Sequence, residues 1–260
     1  DCKALSISQD RLNEKRFFKN LGLKTVPFAA VSTYDEYKKA IAHIGYPAVL
    51  KTRRFGYDGK CQLVIKKSIK RHAVINHIRN GPCILESLID FRKEISVIIS
   101  RSTSGEVVSF DPGENIHRNG ILRITTVPAK IDNSLKVSAI ILAGQIVNAL
   151  EYVGVMGVEL FVSKSNELLL NEIAPRVHNS GHWTQNGCAV DQFEQHIRAI
   201  TGAKLGDGSR YADVKMLNLI GNEVNEIPNA TNSSTYIYGK KEIRPHRKMG
   251  HINYVTPLTV

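Results

Sequence analysis

Val155-Met-Gly-Val-Glu159-Leu-Phe-Val162 and Leu168-Leu-Leu-Asn171-Glu172-Ile173 are two apolar runs joined by Ser163-Lys-Ser-Asn166, and each carries one carboxylate. Short β-rich runs flanking a polar turn predict a hairpin. Hairpin pairing can bring two such carboxylates onto one face. A charge inside an apolar strand is costly unless something compensates it, and a bound cation would do so. The plainer alternative is that both carboxylates point to solvent and pair with lysines. Directly after the second strand, Arg176-Val-His178-Asn-Ser-Gly-His182-Trp183 concentrates a guanidinium, two imidazoles and an amide. Such a cluster suits a small anion, and a histidine there could move a proton near neutral pH. Alone, it reads somewhat more readily as a polar loop with satisfied histidines.

Upstream, Ser8 is expected to cap a helix Gln9 to Leu21 that stops at Gly22, followed by a strand Val26 to Val31. Thr33 with Glu36 predicts a capping box opening a helix through His43, closed by Gly45. Strands follow at Pro47 to Lys51 and Gln62 to Ile65, then a helix from Ser68 to about Ile78. Further strands are expected at Cys83 to Leu88, Glu94 to Ser100 and Val107 to Phe110, the last two a hairpin turning at Ser104-Gly105. Ser134 to Leu150 has the apolar spacing of a long core helix, and Val190 to Ile200 that of a shorter one stopped by Gly202. Beyond Gly206, short strand-like runs at Val214 to Ile220, Thr235 to Tyr238 and Gly250 to Val255 suggest a small β-rich addition.

The loop Lys51-Thr-Arg-Arg-Phe-Gly56-Tyr-Asp-Gly-Lys60 offers glycine backbone and several cations between two strands, which suits a polyphosphate. It lacks the Gly-x-x-x-x-Gly-Lys-Ser/Thr spacing of a Walker loop, and by itself such a loop is more often a solvated turn. Lys240-Lys-Glu-Ile-Arg244-Pro-His-Arg247-Lys248 is the densest basic run; a solvated face, a nucleic-acid patch and a seat for one phosphate all fit it.

Composition narrows the classes. With 42% hydrophobic and 23% charged residues in 260, the chain is globular rather than disordered or fibrous. Its longest apolar runs, such as Ala139 to Ala143, are far too short to span a bilayer. Thirty-five Lys+Arg against 24 Asp+Glu leave a net charge of +11, compatible with nucleic acid, an anionic surface or phosphorylated ligands. The cations sit in separate groups beside acidic and glycine positions, not interleaved with aromatics, which speaks against a nucleic-acid module. Cys2, Cys61, Cys83 and Cys188 are scattered singly, which predicts neither a disulfide framework nor a zinc knuckle and fits a reducing, cytoplasmic compartment. No initiator Met or signal peptide opens the chain, as expected of a fragment.

These pieces, in this order, closely resemble the 5-(carboxyamino)imidazole ribonucleotide synthase family, ATP-grasp ligases of purine biosynthesis. The resemblance rests on Gln9 to Lys15, Lys51 to Lys60, Glu86 with Glu94, Glu114 to Arg123, Asn171 to Asn186 and Arg244 to His251. Pro175-Arg-Val-His-Asn-Ser-Gly-His-Trp183 is its most specific stretch, whereas the paired carboxylates are common to all ATP-grasp enzymes. It implies an α+β fold in which two lobes clasp ATP, over residues 1–205 with a smaller lid lobe at about 24–82, plus a small and incomplete β-rich domain over 206–260. Measured against the family, these residues are expected to lack the nucleotide-fold domain that opens its members.

The implied reaction phosphorylates bicarbonate with ATP to carboxyphosphate, whose carboxyl group the amine of 5-aminoimidazole ribonucleotide captures. By resemblance, Arg11 and Lys51 meet the ATP phosphates and Gly56-Tyr57-Asp58-Gly59-Lys60-Cys61-Gln62 closes over them. Glu86, Ser87, Leu88 and Ile89 form the adenine-side hinge, Glu94 holds the ribose, and His117 is a further ATP contact. Glu159 and Glu172, with Asn171 beside them, match the Mg²⁺ site. Arg176 and His178 match residues near bicarbonate and the reacting amine, and Tyr57, Lys60, Lys241 and Arg247 match contacts to the ribonucleotide. Implied partners are these small molecules and a second copy in a homodimer, with neither nucleic acid nor membrane. Other carboxylating or ligating ATP-grasp enzymes, or a fragment that binds ATP without full activity, are the alternatives. Two departures stand out: Phe55 and Cys61 occupy places where the family favours glycine, which predicts a stiffer or differently closed loop. Ala174 stands where many ATP-grasp enzymes carry a metal-binding Asn.

Overall fold

The capping box expected at Thr33 is present: its side chain accepts from Glu36 N, while the Glu36 carboxylate accepts from Thr33 N at 3.1 Å. In the computed structural model the described residues are 2–56, 61–227 and 231–258. They pack as two units, Asp1–Arg92 with Leu160–Ile173, and Lys93–Glu159 with Ala174–Val260.

The first unit contains α1 (Cys2–Ser8), α2 (Arg11–Asn20), β1 (Phe28–Val31), α3 (Tyr34–Ile44), β2 (Ala48–Thr52), β3 (Gln62–Ile65), α4 (Arg71–Ile78) and β4 (Cys83–Ser87). Its strands form an antiparallel sheet in the order β1-β4-β2-β3. Val31, Tyr37, Leu50, Val74 and Leu85 are buried between sheet and helices. The first helix boundary differs from the expected one. Ser8 ends α1, and the cap of α2 is Asp10, whose carboxylate accepts from Leu12 N at 3.0 Å and Asn13 N at 3.4 Å. A carboxylate at the positive end of a helix outcompetes a serine hydroxyl, and Arg53 holds it there with bonds of 2.8 and 2.6 Å. Likewise α4 starts at Arg71, after Ser68, with no side-chain cap.

The second unit carries β5 (Phe91–Arg101), β6 (Val107–Ser109), β7 (Gly113–Arg118), β8 (Ile121–Val127), α5 (Asn133–Ala149), most of β9 (Gly154–Ser163), α6 (Thr184–Gly187), α7 (Gln192–Thr201), β11 (Ala212–Ile220), β12 (Ser233–Ile237) and β13 (Lys248–Pro257), whereas β10 (Leu168–Ala174) falls in the first unit but for its last residue. The sheet order is β9-β5-β7-β8-β11-β13-β12, with β6 on β5. Strands β9 and β10 are neighbours, as expected, and residues 160–173 of that hairpin belong to the first unit. The C-terminal strands join the same sheet, β11 pairing β8. The hairpin β7–β8 was not expected as an element; it turns at Asn119-Gly120, both at positive φ (53° and 75°). Trp183, Phe110, Ile98 and Val214 anchor the core. Gly202 closes α7 in the left-handed conformation, as expected. No helix among the described residues is long and apolar enough to cross a membrane.

Candidate active site

In the first unit, α2 turns Glu14 and Lys15 inward, each 2% exposed. Lys15 Nζ donates to the carbonyls of Leu170 (3.2 Å) and Asn171 (2.8 Å) and lies 3.9 Å from Glu86 Oε1. Glu86 Oε2 accepts from Lys51 Nζ at 2.5 Å. The sheet register makes this pair: Val49 stands opposite Glu86, so Lys51, two residues on, shares its face. Burial works against the Glu86 carboxylate, but the charges of Lys15 and Lys51 overcome it and hold it below the usual range. Glu86 is therefore the counter-ion of two lysines.

Arg11 donates to the carbonyls of Thr52 (3.2 Å) and Gly56 (2.9 Å), tying α2 to the start of the basic loop. Phe55 (φ 62°, 92% exposed) and Cys61 (φ 57°, exposed) both adopt the left-handed conformation. The two residues that depart from the family's glycines thus keep the backbone that glycine favours, at roughly 1–2 kcal/mol each. Gln62 opens β3 opposite Lys51. Tyr57, Asp58, Gly59 and Lys60 lie outside the described residues. Along the expected hinge, Ser87 N and Leu88 N are engaged by the carbonyls of Pro27 and Pro47, both at 2.9 Å, and Ile89 follows β4. Glu14 accepts from Ile173 N at 2.8 Å; burial, and then the neighbouring Glu172 charge, push its carboxyl well above the usual range.

In the second unit, Glu94 on β5 pairs with His117 Nδ1 on β7. Burial pulls His117 down, but the bond to Glu94 and its charge lift it above the ordinary value. His178 Nε2 lies 3.4 Å from Glu159 Oε1. Gly157 makes this approach possible, since a Cβ there would stand 2.8 Å from that of His178. Burial, and then the Arg176 charge, pull His178 down to about 3, so the ring is neutral at physiological pH. Arg176 is exposed and donates to Val177 O at 2.8 Å.

Sequence reasoning missed two groups here. Gln192, wholly buried, accepts from His178 N (2.9 Å) and donates to His178 O (2.7 Å), so its amide grips the histidine backbone as a neighbouring strand would. Gly181 leaves room for it, because a Cβ there would come within 2.4 Å of Gln192 Oε1. Lys248, noted only as part of the basic run, places its charge where it acts on His117, His178 and His182. Lys241 is exposed, and Arg247 donates to Glu242 O at 3.2 Å.

His182 and His251 stack at 4.8 Å, flanked by Phe193 and Tyr236. Burial pulls His251 down to about 4, and its Nε2 has no hydrogen-bond partner among the described residues. The unfolded ring, with a pKa near 6.5, binds a proton that the folded ring refuses. Stability is therefore present above about pH 6.5 and lost as pH falls toward 4, by about 1 kcal/mol from this ring at pH 5.5. Urea midpoints at pH 7.5 and 5.5 should draw closer in His251→Gln than in the parent chain; equal gaps would place the acid sensitivity elsewhere.

The first unit holds a lysine–glutamate–lysine set and the second a histidine–carboxylate pair on its antiparallel sheet, and the class to which the chain belongs is ATP-grasp. The ATP-grasp domain model matches residues 16–193, and that of the phosphoribosylaminoimidazole carboxylase C-terminal domain matches 215–258. The chain belongs to the N5-carboxyaminoimidazole ribonucleotide synthase family and is an ATP-grasp ligase. It is 44% identical to the Brucella melitensis synthase, over 99% of this chain and 72% of that protein, and 43% identical to the Bacillus subtilis enzyme, over 96% and 67%. Among solved structures, an ADP complex of the synthetase matches with TM-score 0.92 at 40% identity, covering 98% of this chain and 68% of that one. The Aspergillus clavatus enzyme with ADP and 5-aminoimidazole ribonucleotide matches with TM-score 0.92 at 28% identity, over 99% and 70%.

Proposed function

We propose that this chain carboxylates 5-aminoimidazole ribonucleotide at the expense of ATP and bicarbonate, in purine biosynthesis. The observation that carries the reading is His178, inside the family's most specific stretch, with its Nε2 3.4 Å from Glu159 Oε1. A bicarbonate oxygen attacks the γ-phosphorus of ATP as the bond to ADP breaks, giving carboxyphosphate. The ribonucleotide amine then attacks its carbon, phosphate leaves, and the amine gives up one proton.

Arg11 and Lys51 bind the triphosphate, Lys51 being presented by Glu86. Gly56 to Gln62 covers it, Glu86 to Ile89 flanks the adenine, Glu94 takes the ribose, and His117 is a further ATP contact. Arg176 and His178 hold the bicarbonate carboxyl by charge and by an N–H. Tyr57, Lys60, Lys241 and Arg247 take the ribonucleotide. Glu159 and Glu172, with Asn171 adjacent, are the groups for Mg²⁺. Carboxylates are the right class of donor, since Mg²⁺ typically takes one or two of them and completes its shell with phosphates and water. Glu172, whose charge also bears on the buried Glu14, gains from a cation beside it. When bound, the ion neutralises charge on the transferring phosphoryl group. The functional division into 1–205 and 206–260, the homodimer and the cytoplasmic setting belong to the same proposal.

The test is ADP release from Mg-ATP and bicarbonate with and without 5-aminoimidazole ribonucleotide. Strong stimulation by the ribonucleotide is expected; stimulation only by a different amine would make this another carboxylating ligase. Binding of ATP without release would make it an incomplete one. Lys241→Ala should raise the KM for the ribonucleotide and leave kcat within about twofold, because a phosphate contact far from the reacting amine serves ground and transition states alike. A change confined to ATP affinity would move Lys241 to the other substrate.

A further inference from the structure

A continuous row of hydroxyls and amides runs beneath His178. Ser180 Oγ lies 2.8 Å from His178 Nδ1, Ser96 Oγ 2.7 Å from Ser180 Oγ, Asn115 Nδ2 2.9 Å from Ser96 Oγ, and Thr125 Oγ1 2.8 Å from Asn115 Oδ1. The sheet builds this row. Thr125 on β8 stands opposite Asn115 on β7, which stands opposite Glu94 on β5, and Ser96 is two residues further on the same face. Gly113 keeps that face open, because a Cβ there would meet the Thr125 methyl at 2.7 Å. All four members are buried, Thr125 and Ser180 completely.

Such a chain has two self-consistent polarities. In one, every proton points toward the imidazole and Nδ1 accepts; in the other, every proton points away and Nδ1 donates. Two observations choose between them. The backbone N–H of Ser180, which can only donate, is directed at the same Nδ1 at 3.4 Å. Thr125 Oγ1 has no second partner among the described residues, so the reverse polarity would leave a fully buried hydroxyl proton unpaired. Both require Nδ1 to accept.

We propose that Thr125, Asn115, Ser96 and Ser180 are positioning residues that lock His178 as its Nε2–H tautomer, turning its single N–H toward Glu159 and the carboxyl-transfer site. What that N–H addresses, the bicarbonate carboxyl, rests on the proposed function; the tautomer lock does not. Gln192 fixes the backbone of His178 through its N–H and carbonyl, so the ring has one orientation and one protonated nitrogen. A donor that needs no reorganisation when charge develops on the carboxyl oxygen is worth more than a mobile one.

The experiment is nitrogen NMR of the histidine rings in the full labelled chain, with the His178 signal assigned through His178→Gln, alongside steady-state kinetics. The parent chain should show His178 Nε2 protonated and Nδ1 bare. Ser180→Ala should mix the tautomers and lower kcat roughly 10–100-fold, with the KM for ATP within about twofold. Thr125→Val, nearly isosteric and at the far end of the row, should move in the same direction, and Thr125→Ser, which keeps the hydroxyl, should restore both readouts. A His178 that carries its proton on Nδ1, or a tautomer unmoved by Ser180→Ala and Thr125→Val, overturns the lock. Mixed tautomers with unchanged kcat would leave the lock standing and overturn the role given to His178 in the reaction.

Discussion

Replacing Glu86 by alanine is expected to cost about 3–5 kcal/mol of stability and to lower the melting temperature by roughly 10 °C. Lys15 is 2% exposed, and its ammonium has two carbonyls and the Glu86 carboxylate around it. Lys51 leans on the other Glu86 oxygen. Deleting the carboxylate leaves two like charges on one side of a buried sheet, one of them with no route to water. Removing one partner of a buried pair is far more damaging than the pair is stabilising, because the desolvation of the remaining charge is no longer offset. Glu86→Gln should be milder, since an amide oxygen can still accept from Lys51. Urea unfolding of the three proteins provides the check, and a loss below 1 kcal/mol for the alanine variant would mean that water or rearranged carbonyls satisfy Lys15.

Glu172→Gln should separate activity from stability in the opposite sense. Turnover of Mg-ATP is expected to fall roughly 100-fold or more, because a neutral amide is a poor ligand for a hard cation and cannot offset its charge. Stability should hold or rise. The Glu172 charge is the second cause, after burial, that drives the buried Glu14 carboxyl upward, so removing it relieves a repulsion inside the folded unit. Thermal unfolding and ADP release on the same preparation decide the matter. Full turnover at saturating Mg²⁺ would remove Glu172 from the metal site.

Features whose partners are close in sequence were legible. The Thr33/Glu36 box, the strand Gln62–Ile65 and the left-handed Gly202 each depend on a few neighbouring residues. The hairpin β7–β8 was equally local, and its Asn119-Gly120 turn was in plain view. Its first strand, Gly-Glu-Asn-Ile-His-Arg, has no apolar alternation, because its inward positions carry the polar row that supports His178. The helix start went to Ser8 instead of Asp10 because what strengthens Asp10 is Arg53, which sequence distance hides. Of the site, motif resemblance supplied the residues proposed to face ligands. It gave no sign of Gln192 or the Ser180 row, whose roles exist only once distant strands are side by side. The inward turn of Glu14 and Lys15 was invisible for the same reason.

The first unit is discontinuous: Leu160–Ile173 completes what Asp1–Arg92 begins. Lys15 finds the Leu170 carbonyl 155 residues later, Glu14 finds Ile173 N, and Thr25 bridges to Leu170. On a ribosome adding about 5–20 residues per second, that separation means roughly 8–30 s during which α2 has been made but Lys15 and Glu14 lack the backbone partners that Leu170 and Ile173 supply. The nascent N-terminal segment must wait, with a buried-to-be lysine and glutamate still incompletely partnered, until residues 93–159 of the next unit have been synthesised. Slow translation through residues 93–159 would lengthen that interval, so codon choice there acts on the folding of a unit encoded mainly upstream.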